Sequence, residues 1–420
     1  MMDKRRSKAL LVLLLAISIF LTTAVYSAPV SADEGSPFAK GSSLSDAAYV
    51  PDRIVVKFKE GLSSAHVAQL HASQGTTIVD EIPQIGVQIL SVTPGEVEAK
   101  IAAFKADPMV EYAEPDYIAQ VTYEPNDPYY NDGHQWGPQK IQAPLAWDLC
   151  EGDPNVIIAI VDSGVDPDHP DLIENLVTGY NFLNDSTDTT DDYYHGTHVT
   201  GIAAAATDNG VGVAGIGFNS HIMPLKVYDK NTSPWYSRIA DAIVYAADHG
   251  AKVISLSLGN YPSSSYLEDA VNYAWGAGCV LVGAAGNDNK SDPFHPAAYD
   301  NVIGVSATDQ NDAKASWSNY GAQVAVAAPG SSIYSTYWND GSTYAHMSGT
   351  SMSAPHVAGL AALLFSQDDT RSNATVRSLI EGSADDLGDA GWDQYYGYGR
   401  INAYRALMSA VIEPGTGGSL

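Results

Sequence analysis

The chain has 420 residues, more than one ordinary domain, with 21 Lys and Arg against 49 Asp and Glu, a net charge of −28. So acidic a balance excludes nucleic acid as a natural partner, because phosphate binding needs lysine and arginine. Residues 123–420 alone hold 11 basic and 35 acidic side chains, a net of −24; bound calcium, adaptation to salt and plain solubility remain open as reasons.

Residues 1–32 read as a secretory signal. Lys4, Arg5, Arg6 and Lys8 precede an apolar run from Ala9 to about Val25, and Tyr26-Ser27-Ala28 or Val30-Ser31-Ala32 offers a cleavage site. The alternative is an uncleaved membrane anchor, for which the run is short. No later segment is apolar enough to span a bilayer, so no stable membrane association is expected after cleavage. Residues 33–48 are rich in Ser, Gly and Ala and read as a linker. Residues 49–120 read as a small α+β domain, with extended segments at Ile54–Phe58, Val87–Leu90 and Tyr112–Pro115 and helices at Ala65–Gly75 and Val97–Phe104.

From about residue 123 the periodicity changes. Val156–Val161, His221–Val227, Lys252–Leu258, Cys279–Ala284 and Val302–Ala307 read as buried strands. Gly196–Ala206, Ser237–His249, Tyr266–Trp275 and Ser351–Phe365 read as helices. Such alternation predicts a three-layer α/β domain around a mostly parallel central sheet covered on both faces. Cys150 and Cys279 either pair or remain buried thiols, and their spacing is not that of a metal site. The Gly-rich tail from Glu413 to Leu420 is expected to fray.

Three segments carry chemistry. In Ser348-Gly349-Thr350-Ser351-Met352-Ser353-Ala354-Pro355-His356, a serine stands at the mouth of an apolar helix, where unpaired backbone N–H groups favour developing negative charge. Ile157-Ile158-Ala159-Ile160-Val161-Asp162-Ser163-Gly164 is a strand ending in an aspartate and a glycine turn. His195-Gly196-Thr197-His198 opens a small-residue helix. A serine hydroxyl needs an imidazole to take its proton, and the imidazole needs a carboxylate to fix its tautomer. Taken singly, Asp162 is a turn residue and Ser351 a helix cap; together, in separate segments of one α/β pattern, they point to nucleophilic catalysis. His198, His356, Asp166 and Asp168 read as packing or turn residues.

The order Asp, His, Ser at these motifs, with Gly283-Ala284-Ala285-Gly286-Asn287 as a fourth match, resembles the subtilisin-like serine proteases. The resemblance implies that Asp162 orients His195, that His195 acts as base and then acid, and that Ser351 attacks. It implies an oxyanion hole from Asn287 and the Ser351 backbone N–H. Asn126-Asp127-Pro128-Tyr129-Tyr130, Gly137-Pro138-Gln139-Lys140-Ile141 and Lys252-Val253-Ile254-Ser255-Leu256-Ser257-Leu258-Gly259 point to the thermitase branch of that family. The likeness runs over 123–408 and puts the start of the mature chain near Tyr123. Residues 49–120, ending in Val110-Glu111-Tyr112-Ala113-Glu114-Pro115, resemble the family's inhibitory propeptide; an unrelated ferredoxin-like or dimerisation domain is the alternative. The implied organisation is signal at 1–32, linker and propeptide at 33–122, and catalytic domain at 123–420. The propeptide is expected to act as chaperone and inhibitor of a monomeric, secreted enzyme that cuts polypeptides. In the thermitase branch a cysteine follows the histidine motif; here the position is Val199, which predicts no thiol sensitivity.

By the same resemblance, a structural calcium ion takes side-chain oxygens from Asp127, Asp171 and Asn209 and backbone carbonyls from Ala206, Val211 and Val213, a hard-oxygen set. A second site at Asn181–Asp188 matches less well. Substrate is expected to pair with the edge at Ser257, Leu258 and Gly259. Ala284, Ala285 and Gly286 would form the facing wall of a pocket for large apolar side chains. Pro234, in the stretch 230–234, weakens the opposite edge. An esterase is disfavoured because Ser353 stands where its nucleophile motif requires glycine. A catalytically dead binding module is disfavoured because every expected position is filled.

Overall fold

A computed structural model describes residues 49–59, 61, 63–118 and 123–412, and they fall into two compact units, 1–119 and 120–420. The signal reading at 1–32 and the linker to residue 48 lie outside the described residues.

In the N-terminal unit the order is β1 (Tyr49–Phe58), α1 (Ser64–Gln74), β2 (Thr77–Ile82), β3 (Val87–Ser91), α2 (Val97–Lys105) and β4 (Val110–Tyr117). The strands form an antiparallel sheet in the order β2-β3-β1-β4, the ferredoxin-like arrangement. Ile54, Val56 and Leu90 from the sheet bury against Val97, Ile101 and Phe104 of α2, whose apolar positions are three and four apart. Ser63 caps α1 by accepting from the His66 N–H, and Gly75 ends it with φ +64°. The sequence did not suggest β2, every residue of which is exposed, so that no buried face marks it.

The C-terminal unit opens with three short helices, α3 (Pro128–Asn131), α4 (Gly137–Lys140) and α5 (Ala143–Trp147). It continues through β5 (Ile157–Asp162), β6 (Tyr180–Asn181), α6 (His195–Ala204), β7 (His221–Lys226), α7 (Tyr236–Asp248) and β8 (Ala251–Leu256). It closes with α8 (Ser265–Gly276), β9 (Val280–Ala284), β10 (Val302–Thr308), β11 (Val326–Pro329), β12 (Ile333–Trp338), β13 (Ser342–Met347), α9 (Thr350–Gln367), α10 (Asn373–Gly382) and α11 (Ala403–Ile412).

Seven strands form a parallel sheet in the order β11-β10-β9-β8-β5-β7-β6. Because successive side chains point to opposite faces, one strand feeds two cores. Ile158 and Ile160 pack with α6, α9 and α11, whereas Ala159 and Val161 pack with α7 and α8. This is why the strands read as unbroken apolar runs. Helix α9 is buried on every side from Met352 to Phe365, so its sequence shows no polar stripe.

Two differences from the sequence reading bear on function. The strand expected over Lys252–Leu258 ends at Leu256, leaving Ser257–Gly259 as a free extension. An antiparallel hairpin, β12–β13, was not foreseen. Its β13 is mostly polar and half exposed, and only its partner's Ile333, Ser335 and Thr336 are buried.

Candidate active site

The carboxyl ends of the parallel strands carry the chemistry-bearing groups, as expected for an open α/β sheet. Asp162 is the last residue of β5 and is fully buried. His195 begins α6, and its Nδ1 lies 2.8 Å from Asp162 Oδ1. Two glycines permit this approach. Gly164 has φ +108°, and a Cβ there would meet Thr189 O at 2.2 Å; a Cβ on Gly196 would meet Gly164 O at 2.0 Å. Burial disfavours a charged imidazole at His195, but the Asp162 carboxylate, with Asp191 behind it, outweighs that and holds the group above its ordinary value. A neutral ring with its proton on Nδ1 is therefore left with Nε2 free to accept.

Ser351 stands in the first turn of α9. Its Oγ donates to Ser257 O at 3.0 Å, and Ser257 Oγ donates back to Ser351 O at 2.8 Å. Among the described residues Ser351 Oγ makes no hydrogen bond to His195, so the geometry is that of a resting serine; such contacts commonly tighten only when substrate binds.

Asn287 Oδ1 accepts from the Thr350 N–H at 2.9 Å and the Thr350 hydroxyl at 3.0 Å, which fixes the amide and leaves Nδ2 unspent. A methyl group placed on Gly349 would lie 3.6 Å from both Asn287 Nδ2 and Ser351 N. Two N–H donors thus flank one small space beside the serine, the arrangement that stabilises an oxyanion.

The walls follow from the sheet. Ser257, Leu258 and Gly259 continue β8, and Ala285 and Gly286 continue β9 beyond Ala284, its last residue; β8 and β9 are parallel neighbours. Side chains larger than hydrogen are excluded at two positions: a Cβ on Gly259 would meet His295 O at 2.4 Å, and one on Gly286, where φ is +102°, would meet Asn319 Nδ2 at 2.3 Å. The stretch 230–234 forms no strand, consistent with Pro234 there. A cavity of about 520 Å³ lined by Pro234, Trp235, Tyr236, Ile239, Gly259 and Tyr266 lies alongside.

Several contributors escaped the sequence reading. Asp191 is fully buried: its Oδ2 accepts from the Thr197 N–H and hydroxyl, and its Oδ1 from the Ser163 hydroxyl. It therefore anchors the first turn of α6 and joins it to the loop after Asp162. Asn319 clamps the 285–290 loop, donating to Ala285 O and accepting from Asp288 and Lys290. Tyr228 reaches Asp162 with its hydroxyl. A doublet of aspartates before the histidine motif was a usable signal for Asp191; for Asn319 and Tyr228 the sequence held none.

The expected metal ligands are brought together. Asp127 and Asp171 are both fully buried. Asp127 Oδ1 has no hydrogen-bond partner, while its Oδ2 accepts from the Asp208 N–H at 2.8 Å. Asp171 accepts from Asn209 Nδ2 at 3.0 Å and from the Val213 N–H at 2.8 Å. Burial pushes Asp171 up to about 7 and raises Asp127 as well. The loop between them needs glycine: Gly212 has φ +55°, and a Cβ there would meet Asp171 Oδ2 at 2.2 Å. Two buried anions with neutral partners, one with an orphaned oxygen, fit a cation with oxygen preference. Among the described residues no three His, Cys, Asp or Glu side chains gather as metal ligands; this set has two carboxylates and an amide. The Asn181–Asp188 loop is different: Asn181 binds Asp188 O and the Leu183 N–H, Ser186 binds Asn184, and Asp188 binds Thr190, so its polar atoms serve one another. Both cysteines are free thiols, Cys279 bonded to Ala251 O and Cys150 to Leu363 O. His198 and His356 are buried packing residues, bonded to backbone carbonyls.

Comparison with known proteins agrees with this geometry. The model of the subtilase family matches residues 153–399, and that of the fervidolysin N-terminal prodomain matches 39–116. The chain is 47% identical over 360 residues to the thermophilic serine proteinase of Bacillus sp. (strain AK1), covering 86% of this chain and 88% of that one. It is 51% identical over 286 residues to thermitase of Thermoactinomyces vulgaris, covering 68% of this chain and 100% of thermitase. The crystal structure of fervidolysin from Fervidobacterium pennivorans, a keratinolytic enzyme related to subtilisin, aligns with TM-score 0.63 at 29% identity, over 89% of this chain and 63% of that one. The chain belongs to the subtilase family of serine proteases and carries a prodomain before its catalytic unit.

Proposed function

We propose that the protein is a secreted, calcium-stabilised endopeptidase of broad specificity, made as a precursor that processes itself. The 2.8 Å contact between His195 Nδ1 and Asp162 carries the reading, because it presents an imidazole of raised basicity at the same carboxyl end of the sheet as Ser351. Substrate backbone pairs with Ser257–Gly259, and Ala284, Ala285 and Gly286 face the side chain before the cleaved bond. Main-chain pairing is indifferent to side chains, and the small apolar walls favour large apolar residues. His195 Nε2 takes the Ser351 proton as Oγ attacks the carbonyl carbon. Asn287 Nδ2 and the Ser351 N–H receive the oxyanion; one such donor typically supplies a factor of about 100 to 1,000 in turnover. His195 then gives its proton to the departing amine. Water repeats the sequence on the acyl-enzyme.

Calcium would be held by Asp127, Asp171 and Asn209 with the carbonyls of Ala206, Val211 and Val213, where it supplies the positive charge that this buried cluster lacks. The export signal at 1–32, the linker and propeptide at 33–122 and the mature domain from 123 follow the chain order. Residues 118–122 are the expected self-cleavage stretch, and the prodomain is the expected chaperone and inhibitor of a monomeric enzyme.

The test compares full-length wild type with Ser351→Ala on casein. Wild type is expected to shed its N-terminal unit and degrade casein, and the variant to remain uncut and inactive. Normal processing of the variant, or casein cleavage by it, would overturn the assignment of Ser351.

A further inference from the structure

The loop after β7 brings a tyrosine to the reactive carboxylate. Tyr228 is buried, 8% exposed, and its hydroxyl donates to Asp162 Oδ1 at 2.8 Å. The same oxygen accepts from the Ser163 N–H at 2.7 Å and faces His195 Nδ1 at 2.8 Å. Tyr228 Oη also stands 3.2 Å from His195 Nδ1. Asp162 Oδ2 is buried without a hydrogen-bond partner among the described residues. Three donors therefore converge on one oxygen, which offers two lone pairs, while its twin takes none. The phenol ring is held from the side: Tyr193 packs against it edge to face, with centroids 5.7 Å apart. An apolar residue of similar bulk would fill this space; only the hydroxyl explains the contact with the carboxylate.

Resting on the proposed roles of Asp162, His195 and Ser351, we propose that Tyr228 is a positioning residue that tunes the base. Its hydroxyl draws charge from Asp162 that would otherwise stabilise the protonated imidazole, and so keeps His195 neutral and competent to lower pH. It also pins the carboxylate against rotation. The other charged or titratable groups around His195 stay the same when this hydroxyl is removed. Asp191 lies on the loop before α6 and His198 one turn along α6. Lys226, at the end of β7, is bonded to Ser163 O and Asp192.

The readout is the rate at which a fluorophosphonate modifies Ser351 in the mature enzyme, followed from pH 5 to 9, with the modified residue mapped by mass spectrometry. This rate follows the neutral fraction of His195 in the free enzyme. Tyr228→Phe keeps the ring and loses the hydroxyl. Its acidic limb is expected to move up by about half a unit to one unit, the worth of one hydrogen bond, and its plateau rate to fall severalfold. Tyr228→Leu should move the limb as far, because it too lacks the hydroxyl, and it serves if the Phe variant does not fold. A wild type that titrates and labels at Ser351, with both variants at its limb, would overturn the role of Tyr228 alone. Labelling elsewhere, or a wild-type rate without an acidic limb, would overturn the roles of Ser351 and His195, and this inference with them.

Discussion

Among the described residues of the C-terminal unit, fully buried carboxylates occur in two places, and they are balanced in different ways. Asp162 faces an imidazole, a phenol and a backbone amide. Asp127 and Asp171 face neutral amides, with the Tyr344 hydroxyl beside Asp171, and Asp171 is pushed up to about 7 by burial. Neutral dipoles alone offset the loss of water around an anion poorly. A buried anion beside a group that can take a proton is equipped for proton transfer. A buried pair without such a partner is equipped for a cation. Identical side chains at 0% exposure thus acquire different functions from their neighbours.

Exchanging one carboxylate oxygen for an amide tests that difference at both places. Asp162→Asn keeps the shape but favours the wrong tautomer of His195, so kcat is expected to fall about 10,000-fold, with the calcium dependence of melting untouched. The variant has to be matured in trans by a trace of active enzyme and assayed on a peptide substrate after that trace is removed. A loss below tenfold would mean that Asp162 is structural.

Asp171→Asn gives the complementary result. In the protein with Asp171, excess chelator is expected to lower Tm, because an ion that binds only the folded state stabilises it by mass action, about 2.7 kcal/mol at one hundred times Kd. In Asp171→Asn, Tm should respond little to calcium or chelator, and kcat at saturating substrate should change less than severalfold. A melt of the Asp171 protein that chelator leaves unmoved would remove calcium from the reading and leave the two buried anions without a partner.

The same contrast explains what the sequence revealed. Strands β5, β8, β9 and β10 were legible because both their faces are buried, so that apolar residues run without interruption. The strand ends carrying Asp162 and the Ser257–Gly259 edge came with them, as did the helix mouths at His195 and Ser351. The β12–β13 hairpin was not legible because its residues are mostly polar or aromatic and half exposed. Tyr228 was missed for a different reason. A tyrosine after an apolar strand reads as core, and here it is core by burial; what its hydroxyl meets depends on how the turn after β7 sets it against the end of β5, which no local pattern encodes. Asp127 and Asp171 are 44 positions apart in the chain. Only resemblance joined them before the structure did.

Stability should also depend on pH through two buried histidines that take no part in proton transfer or cation binding. Burial lowers His198 to about 3 and His356 to about 4, because the imidazolium form would lose its water. The unfolded chain then takes up these protons first. Their contribution is complete above the ordinary histidine value of about 6.5 and is lost as pH falls toward the folded values. At pH 5 each group is expected to cost about 2 kcal/mol. Urea midpoints of calcium-saturated Ser351→Ala protein, matured in trans by a trace of active enzyme that is then removed, measure the sum at pH 7.5 and pH 5, and the inactive background prevents autolysis. His356→Leu should remove about half of the difference. A difference unaltered by that substitution would place the acid sensitivity elsewhere.

The smallest expected effect is none at all, and geometry argues for it. Val199 occupies the position after the histidine motif, is fully buried and offers no thiol. Cys150 Sγ lies on Leu363 O, twelve residues along α9 from Ser351, or about 18 Å of helix. Cys279 precedes β9 at its amino end, whereas the site lies beyond the carboxyl end, so roughly 17 Å of strand separates them. Burial raises both thiols, Cys279 to about 11, which keeps them protonated and poorly nucleophilic. A bulky mercurial applied to the folded, calcium-loaded enzyme is therefore expected to leave kcat and KM unchanged. Its reaction should become rapid only after chelator and heat open the core. Inhibition of the folded enzyme at stoichiometric reagent would show that one of these thiols communicates with Ser351 through α9 or β9.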